Sequence, residues 1–164
     1  MRFKKITGML LCVTLSAGIL TGCTKFHTAD PEDGYATMFS LSPTEYAIFV
    51  SEQTSTAANI LYTRFVMASR VLDGSYPWED EAANAEEAVS KMQEVVDNVT
   101  TTMPPQTYES DRQSFLDQLE QAKTYLDDYK THLETRDSVG ITSDISLLES
   151  AFLALGGESY AVYK

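Results

Sequence analysis

Residues 79–103 read EDEAANAEEAVSKMQEVVDNVTTTM, and this stretch decides the fold class. Its apolar residues fall at Ala82, Ala85, Val89, Met92, Val96, Val99 and Met103. Spacings of three and four alternate without a break, which is the rhythm of one helical face and not of a strand. Three acids, Glu79, Asp80 and Glu81, stand at the start, where the positive end of a helix dipole favours negative charge. Glu87 and Lys91 take the favoured i, i+4 order on the outer face.

Upstream, Ser42-Pro43-Thr44-Glu45 is a helix start, with Ser42 as N-cap and Pro43 at the first helical position. The helix is predicted to run to about Leu72, where Asp73-Gly74 stops it. Its apolar positions include Tyr46, Phe49, Val50, Ala57, Ile60, Leu61, Phe65, Ala68 and Val71, and the polar patch Gln53-Thr54-Ser55-Thr56 predicts a bend in the middle. Downstream, Pro104-Pro105 is a firm stop. Thr107 is predicted to cap a third helix to about Arg136, with a seam of Phe115, Leu119, Ala122, Leu126, Tyr129 and Leu133. Thr142 or Ser143 is expected to cap a fourth, carrying Ile145, Leu148, Phe152 and Leu155 and ended or kinked by Gly156-Gly157. The expected fold is therefore all-α: residues 42–164 form an antiparallel up-down-up-down four-helix bundle with a short fourth helix.

A short fourth helix leaves part of the apolar seam without a wall. Tyr46, Met103 and Tyr108 gather at that end, and Tyr160 and Tyr163 arrive from the tail. They form the candidate groove for a small ligand or partner segment, unless the tail fills the gap as a minor core.

The first two dozen residues read differently. Arg2, Lys4 and Lys5 precede an apolar run from Ile6 to Leu20, closed by Leu20-Thr21-Gly22-Cys23. A run of about fifteen residues is short for a spanning helix, which needs ~20, and suits the core of a removable signal. The segment resembles the export signal of bacterial lipoproteins, with Leu opening the lipobox, a small residue before the Cys, and then the Cys. The resemblance implies cleavage before Cys23 and diacylglycerol on its sulfur, so that residues 1–22 are signal peptide and 23–41 a lipidated, flexible tether. One acyl chain holds a protein weakly, and the two or more of this pathway hold it stably. Cys12 leaves with the signal, so no disulfide is expected. The implied location is the outer face of the cytoplasmic membrane. Thr24 in place of the Asp that signals inner-membrane retention leaves the outer membrane open if the cell is Gram-negative. The bundle and its Pro104-Pro105-x-x-Tyr108 helix start resemble small helical-bundle lipoproteins of unknown function in Gram-positive bacteria, a likeness that carries no functional residues over.

Composition narrows the partners. The 164-residue chain has a net charge of −12, and loss of the signal, with its three basic and no acidic residues, makes the remainder more negative still. Such a surface repels nucleic acid and anionic headgroups, so no nucleic-acid partner is expected. The chemistry is sparse as well. His27 and His132 are the two histidines, and neither follows a Glu at di-iron spacing. Zinc lacks its Cys and His donors, the Asp30 to Gly34 cluster lacks EF-hand spacing, and no Gly-x-Ser-x-Gly is present. His132 sits beside seam residue Leu133 and is read as edging a helix interface. No cofactor, metal or catalytic residue is expected. The functional expectation is a non-enzymatic binding or interaction module, anchored to the membrane through Cys23, for an unidentified envelope protein or small ligand. A cofactor- or metal-carrying bundle is the alternative, and an envelope hydrolase comes after it.

Overall fold

Helix formation begins where the capping chemistry is densest. Ser42 Oγ accepts from the Glu45 amide at 3.3 Å, and Glu45 Oε2 accepts from the Ser42 amide at 2.9 Å. This reciprocal box satisfies two donors that a helix start leaves open. Residues 41–161 are described by a computed structural model of the chain, with side-chain surroundings as far as Gly156. The signal at residues 1–22, Cys23, the tether up to residue 40, Tyr163 and the side chain of Tyr160 lie outside the described residues.

The first helix, α1, spans Pro43–Leu72, and α2 spans Trp78–Thr101. A single 3₁₀ turn, Gln106–Tyr108, leads into α3, Glu109–Thr135, and α4 spans Ser138–Ala161. No strand occurs among the described residues. Gly74 ends α1 with φ +77, the left-handed conformation that glycine adopts without a Cβ penalty. The Ser75 amide then reaches back to the Arg70 carbonyl at 2.9 Å. Arg136 takes the same left-handed conformation at the end of α3, with φ 54.

Four contacts between neighbouring helices build the core: α1 with α2, α2 with α3, α3 with α4, and α4 back onto α1, while α1 and α3 barely meet. The α1–α2 contact is the slimmest of the four. Leu61, Met92, Leu119, Leu126, Leu133, Ile141, Leu148 and Leu155 are among the fully buried side chains. Ala57, Ala68, Ala85 and Ala88 are buried on α1 and α2, where small side chains fill less space.

Thr107 lies in the 3₁₀ turn and does not cap α3, which Tyr108 precedes without a side-chain cap bond. Three further sequence expectations change in the fold. The buried face of α2 is Glu81, Ala85, Ala88, Met92, Val95, Val96 and Val99, so it is rotated from the expected stripe. Ala82 and Val89 are only partly buried, and Met103 is 43% exposed. The polar patch of α1 does not interrupt it, because the helix is continuous and Thr54 is buried within it.

The third change concerns α4, which is not short. At 24 residues it equals α2, starting four residues before Thr142 and continuing past Gly156-Gly157. Asp137, not Thr142 or Ser143, caps it: Asp137 Oδ1 accepts from the amides of Val139 at 3.0 Å and Gly140 at 3.1 Å. The stretch Ser138–Gly156 is long and apolar enough to cross a membrane by composition, yet its Ile141, Leu148 and Leu155 are buried in the core.

Gly140 is needed where it stands. A Cβ there would lie 2.5 Å from the His132 ring and 2.8 Å from Asp137 Oδ2. Gly140→Ala ordinarily raises helix propensity by about 1 kcal/mol. Here overpacking wins, and the substitution is expected to lower stability by about 1–3 kcal/mol in chemical denaturation. An unchanged or raised midpoint would contradict this close approach.

Candidate functional site

Glu81 is the fourth residue of α2 and none of its surface is exposed. Its Oε1 accepts from Arg64 Nη1 of α1 at 3.0 Å and from the Tyr129 hydroxyl of α3 at 2.9 Å. One buried carboxylate oxygen thus ties three helices together. The second oxygen, Oε2, is buried without a hydrogen-bond partner. Burial pushes the Glu81 carboxyl above its ordinary value, and the Arg64 charge and the Tyr129 hydroxyl pull against that. Burial also raises the Tyr129 phenol, and the neighbouring Glu81 charge raises it further. The arrangement is costly, since two charges lose most of their water for one another. A buried carboxyl raised above its ordinary value and held by a specific charge partner beside a cleft marks a functional-site candidate.

The cleft lies where α1 and α2 make their slimmest contact. A groove of about 450 Å³ is lined by Thr56, Asn59, Thr63 and Arg64 from α1 and Asn84, Glu87 and Lys91 from α2, with Ile60 and Ala88 as apolar wall. Arg64 belongs to both the groove and the buried network. Thr56 and Thr63 donate their hydroxyls to the Glu52 and Asn59 carbonyls of their own helix. Asn84 Nδ2 donates to the Tyr76 hydroxyl at 3.2 Å. At the rim, Lys91 pairs with Glu87 at 2.6 Å with both side chains more than half exposed, a pair of small net worth. A second groove of about 420 Å³ between α3 and α4 is lined by Asp117, Gln118, Gln121, Tyr125, Ser150, Ala151 and Ala154. Among the described residues, no group of three or more His, Cys, Asp or Glu gathers as a metal ion would need.

The residues singled out by sequence are placed as follows. Tyr46 is 1% exposed, its ring 5.6 Å from that of Tyr108 and 6.3 Å from that of Phe49. Burial pushes its phenol up to about 12. Tyr108 is partly buried against the core, and Met103 is exposed, its carbonyl accepting from the Leu41 amide at 3.2 Å. The structure brings Tyr46 and Tyr108 together. Cys23, Tyr160 and Tyr163 fall where nothing is described of their surroundings. Sequence reasoning missed Arg64, Glu81 and Tyr129 as a set. The available signal was Glu81 itself, four residues before Ala85 and so on the same face.

His132 forms the other polar tie. Its Nδ1 lies 2.7 Å from Oδ2 of Asp144, a residue of α4 that is 2% exposed. The hydrogen bond to Asp144 raises the histidine above its ordinary value of 6.5, with Asp137 and Asp128 adding in the same direction. Burial raises Asp144, partly offset by His132. The pair closes α3 against α4. No hydroxyl bonds to the His132 ring among the described residues.

Two outcomes follow. Glu81→Leu alone leaves Arg64 without its partner and is expected to destabilise by about 3–5 kcal/mol, whereas Arg64→Met with Glu81→Leu and Tyr129→Phe is expected to be neutral or stabilising by about 1–4 kcal/mol. Urea denaturation reads both, and equal losses would refute the network as the source of the cost. The folded protein also binds the His132 proton more tightly than the unfolded chain. Stability from this pair is therefore complete below 6.5 and is lost as pH rises through the raised value. The melting temperature should fall as pH rises above 6.5 and through the raised value, and His132→Asn should flatten that slope. Parallel profiles in the two proteins would assign the slope elsewhere. Comparison of the chain with protein-family models, with curated proteins and with solved structures finds no match.

Proposed function

We propose that this chain is a lipid-anchored, extracytoplasmic helical module that binds a small ligand or an envelope partner and carries out no reaction of its own. The binding reading is carried by one observation, the α1–α2 groove lined by Arg64, Asn59, Asn84 and Lys91 and backed by the buried Glu81. The volume of this groove is that of small-molecule sites, and its lining is more polar than most of them. The anchor reading rests on Leu20-Thr21-Gly22-Cys23 behind its basic and apolar start. An acidic surface suits a domain kept in solution beside an anionic membrane.

The helices in this reading run alternately up and down. Support comes from chain ends that meet. Leu41, two residues before α1, donates its amide to the carbonyl of Met103, two residues past α2. Arg136, which follows α3, pairs with Glu79 near the start of α2. Tyr46 and Tyr108, at the starts of α1 and α3, touch.

Intact mass measurement of protein extracted from membranes tests the placement. The expected species begins at Cys23 and carries a diacylglyceryl group. A precursor retaining residues 1–22, or an unmodified thiol at Cys23, would overturn it.

A further inference from the structure

The groove between α1 and α2 contains a guanidinium fixed from behind. Arg64 offers five N–H donors in a rigid fork. Nη1 is committed to Glu81 inside the protein, and Glu81 is in turn held by Tyr129. The other donors have no protein partner among the described residues. None of them is a buried orphan, and the side chain, 11% exposed, lines the groove. A guanidinium pinned along one edge and open along the other is pre-oriented for a planar two-oxygen acceptor.

The surroundings narrow the acceptor. Glu81 offsets the charge of Arg64, and Glu87 offsets that of Lys91, so the groove is close to neutral. A doubly charged phosphate gains little from such a site while meeting the repulsion of a chain carrying −12. A neutral sugar has no need of an anchored cation. A single carboxylate matches the fork, with Lys91 free to exchange the exposed Glu87 for it. Ile60 and Ala88 supply an apolar strip beside the charge. We infer that the α1–α2 groove binds a small organic monocarboxylate, its carboxylate on the open edge of Arg64 and its aliphatic part against Ile60 and Ala88.

This assignment rests on the binding-module reading and gives it a ligand class. The test titrates the full chain, in detergent, with butyrate, butyramide and inorganic phosphate, followed by ¹⁵N–¹H NMR of the backbone and of arginine Nε. Butyrate should give saturable shifts at residues 56–64 and 84–91, with butyramide and phosphate at least about tenfold weaker, as loss of a charge-assisted pair implies. Lys91→Ala and Asn59→Ala leave the buried network intact and should weaken butyrate several-fold. Arg64→Met combined with Glu81→Leu and Tyr129→Phe should remain folded and lose it. Absence of saturable shifts, equal response to butyramide or phosphate, or unchanged binding by the folded triple variant would overturn the assignment. The mass of Cys23 is read on the same material. Missing lipid with intact butyrate shifts removes the placement alone, and missing shifts on lipidated protein remove the ligand class alone.

Discussion

A carboxylate is expensive to take out of water, and Glu81 has been taken out completely. Its position at the start of α2 offsets part of that cost through the helix dipole, and Arg64 and Tyr129 offset more. Because the three partners sit on α1, α2 and α3, the carboxylate is satisfied only when those helices hold one register. Apolar seams tolerate sliding by a turn, since one Leu replaces another at similar cost. A buried acid with two named donors does not. The contact therefore favours one register of the first three helices, while their stability comes from the apolar core.

The same contact explains why α1 and α2 leave a groove. Long polar side chains from Arg64 and Glu81 meet at the α1–α2 junction, and Ala88 is the small residue that α2 sets in the groove wall. Small residues bring backbones near but fill little volume, so the outer part of the junction stays open to Asn59, Asn84 and Lys91. On the opposite side, α4 is closed by a different device. Gly140 lets the His132 ring lie against the first turn of α4, and Asp144 receives its Nδ1 from within that helix. One junction is kept open by polar groups turned inward, and the other is clasped shut by them.

Helix count and the bounds of α1 and α2 were legible because they are written in local chemistry, whereas Thr107, expected to cap α3, lies in the 3₁₀ turn before it. Ser42 and Glu45 form their box within four residues, and Gly74 supplies its positive φ alone. The buried face of α2 was less legible, because Ala, Val and Met occupy both flanks of its seam. Ala82 and Val89 compete there with Ala88 and Val95, and only packing against α1 and α3 decides between them. Glu81 reads as a dipole charge, and although its spacing from Ala85 puts it on the buried face, nothing local names Arg64, seventeen residues away, as its partner. The length of α4 was misread for another reason. Two glycines cost a helix about 2 kcal/mol together, a strong local stop signal, yet α4 continues through them to Ala161. The site shares this character, because Arg64, Glu81 and Tyr129 become one object only after three helices have met.

The charge of the molecule shapes what such a site can do. A net −12 sets up a field that slows the approach of any anion. At physiological salt, however, charges more than about 8 Å apart are largely screened from one another. A ligand at the mouth of the groove therefore feels few of the distant acids. It feels instead the donors within hydrogen-bond reach, where screening by mobile ions is least. Repulsion then acts on the rate of arrival, and the anchored guanidinium acts on the rate of departure. An acidic coat and a cationic fork are compatible on these terms: the coat turns away polyanions and anionic surfaces over long range, while the fork selects at contact for one small group of opposite charge.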